Sequence, residues 1–274
     1  MMRGLFIALI SGVLWFYAVD LTAQSASVSP SRFYFDASLG ETQKRELKIT
    51  NNSDSPQAFQ LTFADFESPG IEGKTAIMES GESDHSCSEW LVADPSFVKL
   101  GPNESKDISV MIEVPNKAEA KKAAWATAMV KLARERKSGE DMEEGYGFGI
   151  NQTFQFVVHV FQQPPSVSLK KGEIYSFEEI TSPQDTSRTL ELQFKNTGEA
   201  ILDCAAYTEL TYLGDGSTQR LKVRAFTVLP DGARRVTFDL PEDLNPGEYS
   251  VLGVVDFGSD EEVQAAEISL EVPE

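Results

Sequence analysis

From Val28 onward, short runs of alternating apolar and polar residues are separated by clusters of turn formers. Arg32-Phe33-Tyr34-Phe35 gives way to Ser38-Leu39-Gly40-Glu41, and Leu47-Lys48-Ile49 runs into Asn51-Asn52-Ser53-Asp54. Phe59 to Phe63 alternates again, as do Phe97 to Leu100 before Gly101-Pro102-Asn103 and Ile108 to Val114 before Pro115. A period of two places every second side chain on one face, so each run predicts a strand with one side in a core. Residues 67–89, rich in Gly, Ser and Glu, read as a loop or a pair of weak strands. Phe148 to Phe161 is one long alternating stretch, ended by Gln162-Gln163-Pro164-Pro165. Paired prolines break strands and stiffen a linker, so the chain divides there, into 24–163 and 164–274.

The second part repeats the cadence, with Leu190 to Phe194, Asn196-Thr197-Gly198 and Val236 to Leu240. Near its end Asn245-Pro246-Gly247-Glu248-Tyr249 leads into Ser250 to Phe257. A tyrosine just past a Pro-Gly turn, at the start of a late strand, has the look of a tyrosine corner, in which the hydroxyl bonds back to backbone. The fold class expected is all-β: two tandem immunoglobulin-like β-sandwich domains. One segment resists. Ala118 to Lys137 is dense in helix formers, with Trp125, Met129 and Leu132 at helical spacing, yet Ala124, Ala126, Ala128, Val130 and Leu132 also form one face at period two.

Residues 1–23 stand apart from fold reasoning. Arg3 precedes an apolar core from Leu5 to Val19, and Leu21-Thr22-Ala23 offers a small residue before a cut ahead of Gln24. That is the layout of a secretory signal, with an apolar stretch shorter than the roughly 20 residues a span requires. No cysteine stands directly after it and no second apolar stretch appears, so the mature chain is expected to be exported without membrane insertion. Removing Arg3 and Asp20 leaves the net charge at −19. Such an acidic surface repels phosphate, which argues against nucleic acid as a partner. Cys87 and Cys204 fall in different parts of the chain, so each reads as a small buried residue or free thiol in preference to a bridge.

No nucleophile elbow, zinc-helix motif, phosphate loop or dinucleotide fingerprint occurs. Gly145-Tyr146-Gly147-Phe148-Gly149 lacks the preceding strand and following helix that a phosphate loop needs. The acidic runs Glu140 to Glu144 and Asp256 to Glu262 lack the ligand spacing of a calcium loop. The expectation is a binding protein and not an enzyme, with no cofactor and no metal.

Val28-Ser-Pro-Ser-Arg32-Phe-Tyr-Phe35, Leu47-Lys-Ile-Thr-Asn51-Asn52, Trp90-Leu-Val-Ala-Asp-Pro95, Leu100-Gly-Pro-Asn-Glu-Ser105 and Phe154 to Phe161 followed by Gln-Gln-Pro occur in that order. Together they resemble the first domain of the PapD-like periplasmic chaperones that assemble pili. The resemblance covers about residues 28–165. It favours a strand over about 124–134, after a helical turn at 117–122.

The resemblance implies a non-enzymatic periplasmic chaperone-like protein that binds an exported subunit of pilus or fimbrial type. In that family the last strand of the first domain pairs with an incomplete subunit by β-strand addition. Here one face of that strand reads Phe148, Ile150, Gln152, Phe154, Phe156, Val158, Val160. Ile150, Gln152 and Phe154 are the candidate partner-binding positions, while Phe156, Val158 and Val160 read as core. Two basic residues of the family hold the subunit's terminal carboxylate. Arg32 stands at the first of these positions. The second, a lysine in the family, falls on His159, which would be mostly neutral at pH 7. Gln152 within the apolar row also departs from the pattern. The alternative is a surface or cell-wall-associated structural or adhesion protein, extracellular or at the cell surface. Such proteins usually carry a C-terminal anchor, and Glu271-Val272-Pro273-Glu274 is polar.

Overall fold

The computed structural model describes residues 25–133, 154–181, 188–259 and 262–273. The expected signal segment, Glu140 to Glu144, Gly145 to Gly149, Ile150 and Gln152 lie outside them. The first unit is built from β1 (Ala26–Ser29), β2 (Arg32–Phe35), β3 (Thr42–Asn51), β4 (Gln57–Glu67), β5 (Ala76–Met78), β6 (Leu91–Asp94), β7 (Phe97–Leu100), β8 (Ser105–Glu113), β9 (Ala124–Ala133) and β10 (Gln155–Gln162). One sheet runs in the order β1-β3-β8-β6. The other runs β2-β10-β9-β4-β5, with β7 also on β4. The chain changes sheets between β1 and β2. Alternate residues from both sheets, among them Leu47, Ile49, Phe59, Ile108, Ile112, Val130 and Val160, close a single core.

The second unit holds β11 (Gly172–Thr181), β12 (Arg188–Asn196), β13 (Leu202–Tyr212), β14 (Thr218–Arg220), β15 (Arg224–Val228), β16 (Ala233–Asp239), β17 (Gly247–Asp256) and β18 (Gln264–Val272). Its sheets run β11-β12-β16 and β14-β13-β17-β18, with β15 also on β13. Leu192, Phe194, Phe238, Val251 and Phe257 fill the space between them. The molecule is therefore two β-sandwiches in tandem. Tyr249 donates its hydroxyl to the Asn245 carbonyl at 3.0 Å, the bond expected of a tyrosine corner.

The ambiguous segment is a strand. A 3-10 turn at Ala118–Lys121 leads into β9, as the period-two reading and the resemblance expected. Its helix-like composition follows from burial on both faces. Ala124, Ala126, Ala128 and Val130 enter the sandwich core. Trp125 and Ala123 enter a second apolar cluster with Phe66, Phe161, Val167, Ala200, Ile201 and Leu229, where the two sandwiches meet. A strand buried on both sides loses the clean alternation that marks a half-exposed one. Cys87 and Cys204 are buried and free. Burial raises the Cys87 thiol far above its ordinary value and pushes that of Cys204 up to about 12.

Candidate functional site

β10 has two different edges. On one side it pairs antiparallel with β9 along its whole length, Gln155 opposite Lys131 through Gln162 opposite Ala124. On the other side β2 runs parallel to it, and covers only His159 to Gln162. The first bond on that side is His159 N–H to the Ser31 carbonyl at 3.1 Å. Ahead of it, Gln155 to Val158 have no strand partner on that side among the described residues. Backbone groups point to alternate sides along a strand. Since His159 N–H faces β2, the N–H and C=O of Val157 and Gln155 face the open edge.

Side chains along this strand follow the same alternation. Val158 and Val160 are at most 1% exposed, and Phe156 is partly buried against the same core, so all three are core residues. Phe154 shares their face but is 39% exposed, at the end of the sandwich next to the open edge. Of the three apolar-row candidates, Phe154 alone lies within the described residues.

Arg32 and His159 are directly opposite one another across the β2–β10 pair, on the face turned away from the first core. The second sandwich supplies the other wall. Arg32 Nη1 donates to Thr227 Oγ1 at 3.0 Å, and Thr227 donates to Asp203 Oδ1 at 2.7 Å. Tyr34, two residues along β2, donates to the same Asp203 oxygen at 3.2 Å. His159 Nε2 is 2.9 Å from Thr75 Oγ1, its ring is edge-on to Phe66 and parallel to Phe161. Burial, and then the Arg32 charge, hold the His159 imidazole below its ordinary pKa of 6.5. It is thus a neutral hydrogen-bonding group at pH 7, and Arg32 carries the charge of the pair.

A cavity of about 80 Å³ opens between the sandwiches and is lined by Arg32, Phe66, Thr75, His159, Thr227 and Arg234. The sequence brought forward Arg32 and His159, and the structure places them together. It did not single out Thr75, Thr227 or Arg234. Arg234 lies in β16, next to Arg235, which points the opposite way along the strand. Nothing in Arg-Arg-Val-Thr-Phe distinguishes a cleft arginine from a surface one, because the wall it joins is some two hundred residues earlier in sequence.

The junction is fixed by polar contacts as well as by the shared apolar cluster. The Arg235 N–H donates to the Ile71 carbonyl at 2.7 Å. Its guanidinium pairs with Glu72 of the first unit and with Glu191 of the second. Ile201 N–H donates to Gln163 Oε1 at 2.8 Å. On the first unit's own side of the junction, Trp125 Nε1 donates to the Phe66 carbonyl at 2.9 Å, and the His85 ring stacks on the indole at 4.4 Å.

No family model matches the chain, and no curated protein matches it by sequence. Solved structures do match in shape, and many of them are fimbrial chaperones. The Pseudomonas aeruginosa CupB2 chaperone has a TM-score of 0.44 at 14% identity, covering 90% of this chain and 100% of that one. The E. coli chaperone DraB has a TM-score of 0.41 at 16% identity, covering 89% and 98%. A Salmonella enterica structure of SafA pilin in complex with the SafB chaperone has a TM-score of 0.44 at 12% identity, covering 89% and 96%. Similarity at this level describes shape; the open edge and the cleft are read from this chain's own residues.

Proposed function

We propose that this protein is a non-enzymatic, periplasmic chaperone-like protein that binds an exported subunit of pilus or fimbrial type by β-strand addition. The observation that carries the reading is the half-covered β10. Its backbone groups at Gln155 and Val157 have no ladder partner among the described residues, beside the exposed apolar Phe154. A partner strand laid there gains backbone hydrogen bonds, with apolar side chains offered to its pockets. Arg32 lies further along the same strand pair, in the cleft, and supplies a charge-assisted donor for a terminal carboxylate. His159 contributes a hydrogen bond there in place of a second charge. Binding of this kind requires no nucleotide, since formation of the complex supplies the free energy.

The test is to purify the mature protein from its native envelope extract, wild type beside Arg32→Ala. Wild type should carry one secreted subunit stoichiometrically, and Arg32→Ala should lose it. In the complex, the Gln155 and Val157 amides should exchange with deuterium far more slowly than in the free protein. Binding to wall polymer with those amides still fast would overturn the reading in favour of a surface-associated role.

A further inference from the structure

Arg234 reaches the cleft from the opposite sandwich and ends over Gly73. The space that a β-carbon would fill at Gly73 is occupied by the Arg234 Nη1 and Cζ atoms, and Gly73 has a φ of +63° that L side chains rarely adopt. The loop therefore leaves a seat for this guanidinium. Among the described residues Arg234 forms no salt bridge, and neither does Arg32. Two acids close to the cleft have other hydrogen-bonding partners. Glu72 is paired with Arg235, and Asp203 accepts from Thr227 and Tyr34. Burial, and then the like charge of Arg32, lower the Arg234 pKa, with Glu72 opposing.

Two arginines thus face one small cavity in a chain whose net charge is −19. Bringing like charges together costs free energy, which a bound anion would relieve. A single carboxylate pairs with one of them and leaves the other without a salt-bridge partner among the described residues. We infer that the cleft is a two-arginine site shared by both sandwiches that selects a dianionic group: a chain terminus whose last residue is itself acidic. Arg32 takes one carboxylate and Arg234 the other, with the Thr75 and Thr227 hydroxyls and His159 completing the polar wall. Arg234 is then the specificity-determining residue. The inference rests on the proposal that Arg32 receives a terminal carboxylate, and adds to it the chemistry of the residue that carries that carboxylate.

Three capped dipeptides separate the two ideas: N-acetyl-Gly-Asp with two carboxylates, N-acetyl-Gly-Asn with one, and the amide of the latter with none. Binding to the mature protein is followed through the arginine side-chain NMR signals. N-acetyl-Gly-Asn should bind where its amide does not, and Arg32→Ala should abolish that. N-acetyl-Gly-Asp should bind about fivefold tighter than N-acetyl-Gly-Asn, one added charge-assisted contact in a partly solvated site, and the preference should shrink with salt. Arg234→Gln should bring the ratio to about one. Gly73→Ala, which displaces the guanidinium from its seat while keeping the arginine in the chain, should do the same. A ratio near one in the wild type, or one unchanged by Arg234→Gln, overturns the dianion site while leaving the Arg32 anchor standing. Equal binding of N-acetyl-Gly-Asn and its amide removes both.

Discussion

The two sandwiches use the same device to tie their sheets together, and differ in how they treat their edges. Asn51 ends β3 and Asn196 ends β12, and both are fully buried. Asn51 Nδ2 donates to the carbonyls of Ser55 and Gly101 at 2.8 Å, and its Oδ1 accepts from Ser53 N–H at 3.0 Å. Asn196 Nδ2 donates to the carbonyls of Ala200 at 2.8 Å and Val228 at 3.1 Å, and its Oδ1 accepts from Gly198 N–H at 2.9 Å. Each pins its own turn and a second loop that bends through a left-handed residue, Asn103 at φ 57° or Asp231 at φ 61°. The edges diverge. β18 closes its sheet with Glu267 and Glu271 on the strand, charges that deter a further strand. The open part of β10, Gln155-Phe156-Val157-Val158, carries none. Among the described residues the scaffold thus has one charged edge and one uncharged edge, and under the proposed function the first unit would receive the partner strand while the second forms a wall of the cleft.

The largest effect expected is at the junction. Trp125→Ala removes a side chain only 5% exposed, together with its bond to the Phe66 carbonyl, and has no counterpart within the second sandwich. It should cost about 3–5 kcal/mol, seen as a lower midpoint in urea unfolding. A loss below about 1 kcal/mol would mean that the two sandwiches do not depend on the interface. Next come the asparagine pins. Asn51→Ala and Asn196→Ala each leave carbonyls at the turns without their donor, at about 1–3 kcal/mol. Hydrogen exchange should show the loss concentrated in the unit that carries the substitution. If only one of the two matters, the equivalence of the devices fails.

The edges are tested by opposite changes. Phe154→Asp alters an exposed residue, so stability should stay within about 0.5 kcal/mol, while retention of the subunit on purification should be lost. Glu267→Val takes a charge off β18 and should raise concentration-dependent light scattering of the free protein. Were Phe154→Asp to bind normally, the partner would have to meet the first unit elsewhere.

Most of the architecture was legible because half-exposed strands advertise themselves by alternation. Phe59 to Phe63 and Ile108 to Val114 are plain for this reason, and Tyr249 was found because Pro246-Gly247 fixes its place in the turn. β9 was ambiguous because both of its faces are buried, and its all-β surroundings and the family resemblance decided the matter. The cleft was half legible. Arg32 and His159 lie on strands with recognisable neighbours, so their register could be read across from the family resemblance. Arg234 and Gly73 could not be found in this way. Their meeting depends on the angle between two sandwiches, which a local sequence pattern does not encode.

The smallest effect expected is the pH response of the cleft, and it distinguishes the two walls. His159 on the first unit faces Arg32 beside it, Thr75 and Phe66 from the same unit, and the cavity that Arg234 enters from the other. Its folded pKa lies below the ordinary value of 6.5, through burial first and Arg32 second. Well above 6.5 the imidazole is neutral in both the folded and unfolded states, and it brings no pH dependence. As pH falls through 6.5 the unfolded chain takes up the proton first, so folding stability declines until the folded value is also passed. Urea unfolding at pH 7.5 and pH 5.5 should show this decline in the wild type, and His159→Gln should reduce it, since glutamine keeps a hydrogen-bonding group beside Thr75 but does not titrate. A decline unchanged in His159→Gln would assign the acid response to groups other than His159 and remove it as a source of pH sensitivity in the cleft.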